Sequence, residues 1–399
     1  MKRIALSTLS LALLGATGVA HAQSSVTLYG LIDDSVQYIH NTVDASGKNA
    51  NSVGLAAGNL QGSRWGLKGT EDLGGGLKTI FQLEGGFNPN NGKMGNYNGV
   101  NSLFGRQAYV GLTGDSWGTA TIGRQYDPVV DLVQPLTGDN YFGSTFTTPG
   151  DVDNNDNSSR TNNAVKYTSP VWGGFQFEGM YALGGVAGQT GSGQTWSAAA
   201  TYATGPFSIA AGYFLADNNA SATARKVNAA TGASWSSTSD GTFDGSLINN
   251  TYSSAKSVGI AQVAAQYVAG PFTFALRYSN AQYKPDGAST GFTSTEKYNV
   301  GGAYVGYQAT PALLVGLGYI YTKASGDTSA TYNQVSLGGD YSISKRTDFY
   351  LVGAYQHATG KQRAADGSSV TATASVGSYG VSSATSSQEI LSLGIRHKF

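Results

Sequence analysis

Polar and apolar residues alternate along much of this chain with a period of two. The last segment illustrates the pattern, because its apolar and polar positions fall on opposite sides of an extended strand. The apolar side consists of Leu391, Leu393, Ile395 and Phe399, and the polar side of Ser392, Gly394, Arg396 and Lys398. Successive side chains of a strand point to opposite faces. The segment therefore predicts a β-strand with one apolar face and one polar face.

Segments of this kind recur along the chain, and their connections alternate between very short and long. The predicted strands are 26–40, 63–71, 77–88, 103–114, 119–125, 163–169, 175–184, 195–204, 207–216, 257–269, 272–284, 297–308, 313–323, 331–342, 349–359 and 388–399. The alternation is poorest in 103–114, where Gln107 and Tyr109 share a face. An even count of 16, with short turns at one end and long loops at the other, is typical of a bacterial outer-membrane β-barrel.

A closed barrel of this size would be wide, because sixteen strands enclose more volume than side chains can fill and leave an aqueous channel. The composition agrees with a sheet protein, since 56 glycines, 24 tyrosines and only 12% charged residues suit strands joined by turns. The mean hydropathy of −0.19 is low for a membrane protein. When the lumen is wet, however, only every second strand residue has to face lipid.

The first 22 residues are predicted to be a cleaved export signal. Lys2 and Arg3 supply a positive start, 4–20 is a short apolar stretch, and Ala20-His21-Ala22 is an A-x-A cleavage site. An uncleaved anchor is a minor alternative, because polar residues interrupt the apolar stretch and no stop-transfer pattern follows. The predicted domains are a signal peptide, 1–22, and a barrel, 23–399, of 377 residues.

Composition and charge exclude several classes of protein. No later run of about 18 apolar residues is present, which excludes a helical membrane protein. The chain has 24 basic and 24 acidic residues, so loss of Lys2 and Arg3 leaves a net charge of −2. A nucleic-acid partner, which would need a clustered basic surface, is therefore not expected. The chain has no cysteine for disulfides or thiolate metal sites.

Two other classes remain as alternatives to a channel. An enzyme is disfavoured, because His40, His357 and His397 lie on distant predicted strands, with no spacing typical of a catalytic triad. A secreted β-sandwich adhesin is the soluble alternative. It would bury one strand face against a second sheet and would lack a continuous lipid-facing band.

Four motifs are specific in combination. They are Val26-Thr27-Leu28-Tyr29-Gly30, 63–77 (SRWGLKGTEDLGGGL), 105–112 (GRQAYVGL) and 122–127 (IGRQYD). Together they resemble the general diffusion porins of Gram-negative bacteria, and most of all the β-proteobacterial branch with its Burkholderia, Bordetella and Neisseria types. The resemblance covers the whole mature chain. It implies an all-β fold, a 16-stranded antiparallel transmembrane β-barrel with short periplasmic turns, long extracellular loops and a third loop that constricts the pore.

The resemblance also implies a function and a set of partners. The function would be passive diffusion of ions and small hydrophilic solutes through a water-filled channel of the cell outer membrane, without a cofactor or catalysis. The alternative is a substrate-specific outer-membrane channel, for example for a sugar or an organic anion. The implied partners are two further copies in a homotrimer, outer-membrane lipid and lipopolysaccharide. The barrel-assembly machinery would act during biogenesis, with Phe399 as its signal.

By the same resemblance, the third loop, 126–162, would narrow the pore opposite a basic cluster on the barrel wall. The cluster would consist of Arg64, Arg106, Arg124 and Arg160. Pattern and resemblance agree for Arg64, which lies on the polar side of its predicted strand. Arg124 shares parity with the apolar Ile122, so a lumenal position would require a bend or bulge there. The alternative is that these arginines are ordinary solvated side chains at strand ends.

Possible counter-charges on the third loop are Asp127, Asp131 and Asp139. Asp139 is the first choice, because it follows the bend at Pro135, where the family places its loop acids. The family often has a glutamate next to this proline, whereas Leu136 stands there in this chain. Facing basic and acidic walls would order water and orient dipolar solutes, and charge together with pore radius decides which solutes pass.

The same loop contains a candidate calcium site. Asp151, Asp153 and Asp156 could ligate calcium through their carboxylate oxygens. The stretch 151–156 lacks the glycine and the distal bidentate glutamate of an EF-hand loop. The favoured prediction is therefore a hydrated loop without a metal.

Overall fold

The computed structural model describes residues 25–97, 100–218, 248–364 and 366–399, and it describes no side chains within 96–101. The predicted signal peptide, 1–22, lies outside the described residues. Most of the described residues lie in β-strands. None of the helices among them is both long enough and apolar enough to cross a membrane.

The strands follow one another along the chain. They are β1 (Ser25–Val43), β2 (Asn49–Ala57), β3 (Arg64–Gly74), β4 (Leu77–Gly86), β5 (Asn96–Tyr97), β6 (Val100–Asn101), β7 (Gln107–Gly114), β8 (Gly118–Gln125), β9 (Thr161–Thr168), β10 (Phe175–Ala182), β11 (Thr195–Thr204), β12 (Phe207–Asp217), β13 (Ser257–Ala269), β14 (Phe272–Lys284), β15 (Glu296–Thr310), β16 (Leu313–Ser325), β17 (Thr331–Ser342), β18 (Thr347–Thr359), β19 (Lys361–Arg363), β20 (Ser369–Thr371) and β21 (Ser387–Lys398). Two short helices, α1 (Pro128–Leu132) and α2 (Asp139–Phe142), lie between β8 and β9. Single 3-10 turns are Gln134–Leu136, Gly143–Phe146, Pro149–Asp151 and Asn250–Tyr252.

Seventeen of these strands form one closed antiparallel sheet. The last strand, β21, pairs with β1 along Leu31–His40, and this pairing closes the barrel. Both β2 and β3 also pair with β1, so the two are parts of a single span. The barrel therefore has 16 spans, which confirms the predicted fold class. The remaining strands form two small hairpins, β5–β6 and β19–β20, in the loops.

The two faces of each strand have opposite characters. On β21 the side chains of Leu391, Leu393 and Ile395 are 50%, 61% and 42% exposed, whereas Ser392 and Arg396 on the other face are 0% and 8% exposed. A water-soluble protein shows the reverse arrangement, with its apolar residues inside. A continuous apolar exterior around a polar interior is instead the pattern of a barrel that stands in lipid.

Three predicted boundaries were wrong. Residues 49–57, expected in a polar loop, form β2, and the first connection at that end is only 44–48. The signal in the sequence was the alternation of Val53 and Leu55, which are both exposed on the outer face. The strand predicted at 103–114 begins only at Gln107, where the alternation was poorest. The third loop spans 126–160, because Thr161 already belongs to β9.

The third loop folds into the barrel and crosses its lumen. The Phe142 ring is 0% exposed and packs against lumenal glycines of β16 and β17. A Cβ at Gly316 or Gly338 would lie 2.2 or 2.4 Å from this ring, so glycine alone leaves room for it. Next to it, Tyr141 stacks on Tyr304 of β15 with 4.9 Å between ring centres. The loop is thus fixed against the wall opposite to the one from which it starts.

Candidate functional site

A cavity of about 430 Å³ lies between the third loop, the segment 58–62, the start of β3 and Arg106 just before β7. We call it the constriction cavity. Its charged lining residues are Arg64, Arg106, Arg160, Asp131, Asp139 and Asp156. The structure therefore brings together, around one polar space, three of the four predicted arginines and two of the three predicted loop acids.

The three arginines reach the constriction cavity from three different places in the fold. Arg64 is the first residue of β3, and its Nε donates to the Gly62 carbonyl at 2.8 Å. This bond follows from the interruption between β2 and β3, which exposes a carbonyl that the barrel ladder does not use. Arg106 directly precedes β7, and Arg160 is the last residue of the third loop.

Arg106 belongs to a bonded network on the basic wall. Its Nε lies 2.8 Å from Oε1 of Glu84, and its Nη2 donates to the Tyr126 hydroxyl at 2.7 Å. Tyr29 donates to the other oxygen of Glu84 at 2.9 Å. The guanidinium carbons of Arg106 and Arg160 each lie 5.7 Å from the centre of the Tyr126 ring. Because Glu84 compensates one of the three positive charges, the wall is less basic than a count of arginines indicates.

Arg124, the fourth predicted arginine, is not among the residues that line the constriction cavity. Its Nε donates to the carbonyl of Gly105 at 2.7 Å, and its Nη1 donates to the side chain of Asn162. The pairing of β8 with β9 does shift between Gly123 and Gln125. This bulge does not bring the guanidinium to the cavity. The position of Arg124 therefore agrees with the alternation pattern and not with the role that the resemblance implied.

Asp127 has a structural position and does not line the constriction cavity. It is the N-cap of α1, and its Oδ1 accepts hydrogen bonds from the backbone N–H groups of Val129 and Val130 at 2.9 and 3.4 Å. Such a cap satisfies helix donors that have no partner within the helix. Burial raises the pKa of Asp127 to about 6, and the nearby Asp131 adds to the effect.

Asp131 lines the constriction cavity as half of an ion pair. Its carboxylate binds the ammonium group of Lys166 on β9. The same ammonium group donates to the Tyr126 carbonyl at 3.1 Å and lies 4.0 Å from Glu178. Asp131 therefore brings little uncompensated negative charge to the cavity.

Asp139 lies at the start of α2 and is only 3% exposed, although it borders the constriction cavity. Gln134 donates to one of its carboxyl oxygens. Burial, and next the adjacent carboxyl of Asp156, raise the pKa of Asp139 well above its ordinary value. Two neighbouring carboxyls cannot both ionise at their usual pH. The pair therefore holds a proton to a higher pH than two isolated aspartates would.

The three calcium candidates serve other contacts. Asp153 is 0% exposed and pairs with Arg277 of β14 at 3.0 Å. Asp151 accepts the backbone N–H groups of Asp156 and Ser158 at 2.9 and 3.0 Å. Within the described ranges, no group of three or more His, Asp or Glu residues is arranged to hold a metal. Asp151 also has a raised pKa, about 7, because of burial and then the nearby Asp156.

Sequence reasoning missed three residues of this site: Glu84, Tyr126 and Lys166. Glu84 and Lys166 lie on the lumenal face of β4 and β9, in register with residues that the pattern had already made lumenal. Gly66, which shares the face of Arg64, pairs directly with Glu84. A comparison of which residues face the lumen on paired neighbouring strands could therefore have identified both residues. Tyr126 gave no comparable signal, because it lies outside any strand.

His40, His357 and His397 lie on the neighbouring strands β1, β18 and β21, and not on distant strands as predicted, because barrel closure joins the first strand to the last. His40 contacts Asn51 at 2.8 Å, and His397 contacts Thr347 at 2.9 Å. No histidine is among the residues that line the constriction cavity. Among the described residues, no histidine is therefore positioned to act as a base at the cavity.

Comparisons with known proteins agree with this architecture. An outer membrane porin protein of Bordetella pertussis is 41% identical over 191 residues, which are 44% of this chain and 47% of that protein. Outer membrane porin protein 32 of Delftia acidovorans is 40% identical over 185 residues, 44% of this chain and 49% of that protein. Major outer membrane protein P.IB of Neisseria meningitidis serogroup B is 33% identical over 191 residues, 47% of this chain and 53% of that protein. The chain thus spans about half the length of the curated relatives that it matches.

Solved structures with the same fold cover almost the whole chain. The anion-selective porin from Comamonas acidovorans superposes with a TM-score of 0.71 at 24% identity, over 94% of this chain and 100% of that one. OmpT of Vibrio cholerae gives a TM-score of 0.62 at 14% identity, over 94% and 98%. The apolar exterior and the outer membrane relatives place the barrel in the outer membrane. A family model described as Gram-negative porin matches residues 7–361, and the chain therefore belongs to the family of Gram-negative porins.

Proposed function

We propose that this protein is a passive, water-filled channel of the outer membrane for ions and small hydrophilic solutes. The observation that carries the proposal is the constriction cavity, a polar space of about 430 Å³ inside a closed barrel, bordered by Arg64 and Arg106 of the barrel wall and by the third loop, which contributes Arg160. Sixteen strands enclose a lumen that side chains cannot fill. Charged groups around the narrowest part then decide which solutes pass.

The balance of charges supports a preference for anions. Glu84 compensates Arg106, and Lys166 compensates Asp131. The acidic side keeps Asp139 and Asp156, which lie close enough together to retain a proton. Arg64 and Arg160 bring two further positive charges to the lining of the cavity. The similarly folded protein from Comamonas acidovorans is itself described as an anion-selective porin.

A bilayer experiment tests the proposal. The purified protein is inserted into a planar lipid membrane, and conductance steps and the reversal potential under a KCl gradient are recorded. We expect stepwise conductance with chloride more permeant than potassium, and a shift toward potassium in Arg64→Ala. Lys68→Ala is the matched control, because Lys68 is exposed on the same face of β3 but does not line the constriction cavity. A protein that never conducts, or equal shifts in the two variants, would contradict the proposal.

A channel selective for organic anions is a second candidate. The observation that favours it is the Tyr126 ring, with the guanidinium groups of Arg106 and Arg160 each 5.7 Å from its centre. Guanidinium groups bind carboxylates in a two-pronged geometry. A dicarboxylate that blocks the chloride current at millimolar concentration, where an uncharged sugar of equal size does not, would favour this candidate over general diffusion.

The proposal includes partners but no catalysis and no cofactor. We infer a homotrimer embedded in outer-membrane lipid and lipopolysaccharide, with Lys284 and Lys297 exposed at the loop ends of neighbouring strands, where anionic headgroups would lie. Phe399 is the proposed signal for the barrel-assembly machinery. In the folded chain its backbone N–H donates to the Gly30 carbonyl at 3.0 Å. Deletion of Phe399 should therefore slow assembly in cells more than it lowers the stability of barrels refolded in detergent.

A further inference from the structure

The connection between β18 and β21 reaches down from the barrel mouth and contacts the third loop. Gly150 donates its backbone N–H to the Gly377 carbonyl at 2.9 Å, and Ser378 donates its own to the Ser144 carbonyl at 3.3 Å. The hydroxyls of Tyr379 and Thr145 lie 2.6 Å apart. The tip of this last loop, 377–379, is therefore docked on the part of the third loop that borders the constriction cavity.

The docked tip also contacts a charged group of the constriction. The Ser378 hydroxyl donates to Oδ2 of Asp156, and the Ser144 hydroxyl donates to the same oxygen at 2.9 Å. Asp156 and Ser144 both line the constriction cavity. Two hydroxyls from two different loops thus meet on one carboxylate oxygen.

These two hydrogen bonds bear on how the Asp139 and Asp156 pair shares its proton. Hydroxyl donors favour the ionised form of the carboxyl that accepts them. Asp156 has two such donors, whereas Asp139 is almost fully buried and has Gln134 as the donor to its Oδ2. The two hydroxyls therefore hold the Asp156 carboxylate at the edge of the cavity, whereas Asp139, whose pKa is raised by burial, retains the proton of the pair.

The other charged groups around this pair are already engaged. Asp151 accepts the backbone N–H of Asp156, and Asp153 pairs with Arg277. On the cavity side stand Asp131 with Lys166, and Arg106 with Glu84. Arg64 and Arg160 also line the cavity. Of these groups Asp151 also titrates near neutral pH, because burial and next the nearby Asp156 raise its pKa to about 7. The two hydroxyls bond Asp156 and not Asp151, so they act on the pair of Asp139 and Asp156.

We propose that Ser378 of the last loop is a positioning residue that holds the Asp156 carboxylate ionised at the constriction and thereby sets the charge selectivity of the channel. The proposal rests on the channel function proposed above and adds a specificity-determining residue from outside the third loop. Without the Ser378 hydroxyl, the carboxyl pair would take up its second proton at a higher pH. The constriction would then lose negative charge and admit anions more readily.

The test is the reversal potential of single channels measured from pH 4 to pH 9 under a KCl gradient. In the natural protein we expect selectivity to shift toward chloride as the pH falls. In Ser378→Ala the midpoint of this change should move up by about one pH unit, which is the typical effect of one hydrogen bond to a charged group. Ser378→Thr keeps the hydroxyl and should restore the natural midpoint. An unchanged midpoint in Ser378→Ala would overturn the proposal.

Further variants separate positioning from a merely structural role. Tyr379→Phe removes a docking contact without touching Asp156, and Ser383→Ala removes a hydroxyl of the same loop that contacts Thr385. Both should keep the natural midpoint. In the Asp156→Asn background, Ser378→Ala should have no effect on the midpoint, and a shift that persisted there would overturn the proposal.

Two more outcomes complete the test. If Ser378→Ala does not assemble, Ser144→Ala removes the other hydroxyl from the same oxygen and should raise the midpoint in the same direction; an unchanged midpoint in that variant would contradict the proposal. A conducting Ser378→Ala channel with the natural pH profile would refute this inference alone. A natural protein that never conducts would instead refute the channel function and this inference together.

Discussion

The third loop meets two walls of the barrel interior, and the two contacts differ in kind. Against β15, β16 and β17 the loop packs directly, with Phe142 on the glycines of the lumenal face and Tyr141 on Tyr304. Next to β3 the constriction cavity of about 430 Å³ lies between the loop and Arg64, and only the start of the loop reaches the charged wall, through the Tyr126 hydroxyl that bonds Glu84 at 3.1 Å. We call these two sides the dry wall and the wet wall.

The difference shows how one loop can both seal and leave open the same lumen. Glycines on the dry wall let aromatic rings approach the backbone, and the buried rings hold the loop there by hydrophobic contact. Long charged side chains on the wet wall would lose hydration if the loop approached, and that loss is costly. The constriction is therefore off-centre, and its position is decided at the dry wall although its selectivity is decided at the wet wall.

The largest expected effect of a substitution is at the dry wall. Phe142→Ala should lower the free energy of unfolding by about 3–5 kcal/mol, because a fully buried aromatic ring is replaced by a cavity. Equilibrium unfolding by guanidinium chloride in lipid vesicles measures the change. The control is Asn140→Ala, an exposed position of the same helix, which should change stability by less than about 0.5 kcal/mol. Equal stability of the two variants would show that packing does not fix the loop.

The ion pair between the loop and β14, next to the dry wall, tests the anchoring of the loop in a second way. Arg277→Ala leaves Asp153 buried without its charged partner and should cost about 3 kcal/mol of stability. Adding Asp153→Asn should restore part of this loss, because no uncompensated charge then remains inside. A double-mutant cycle by chemical unfolding measures the coupling. Additive losses would contradict the pairing.

The start of the loop should make stability depend on pH. The pKa of Asp127 is raised to about 6 because of burial, so the folded protein binds this proton more tightly than the unfolded chain does. Its contribution to stability is therefore present below pH 4 and is lost as the pH rises through 6, by up to about 3 kcal/mol. Asp127→Asn keeps a capping oxygen but does not titrate. The stability difference between this variant and the natural protein should change between pH 4 and pH 6, and a constant difference would contradict the assignment.

The smallest effect is expected on the charge selectivity of the wet wall. One unit charge about 8 Å away changes an ion's energy by roughly 0.5 kcal/mol in water, or about twofold in permeability ratio. Arg106→Ala also uncovers Glu84, so it should shift the reversal potential toward cations more than Arg64→Ala does. The double variant Arg106→Ala with Glu84→Gln should return close to the natural value. A double variant as cation-selective as Arg106→Ala would contradict the compensating role of Glu84.

The strands could be predicted because alternation is a local property. Within each segment, the positions of the apolar residues indicate which face meets lipid, and the turn residues mark the ends. All sixteen spans could therefore be predicted. The wrong strand boundaries lie where the alternation of apolar and polar residues is weak. Residues 49–57 are mostly small, with only Val53 and Leu55 as large apolar side chains, and 103–106 leave the strand because Arg106 turns toward Glu84. The resemblance to porins added the third loop and its basic partners, which alternation alone does not contain.

The amino-acid sequence by itself determined the barrel, its apolar exterior and its polar interior, because period-two patterning acts on every strand separately. Only the tertiary structure decided that Arg124 stays away from the constriction, that Asp127 caps a helix, and that Glu84 and Lys166 neutralise charges of the cavity. It also brought Ser378, from the far end of the chain, to Asp156. Such contacts depend on strand register and on how two loops meet inside the closed barrel. They join residues far apart in the chain, so they cannot be predicted from the local pattern of residues.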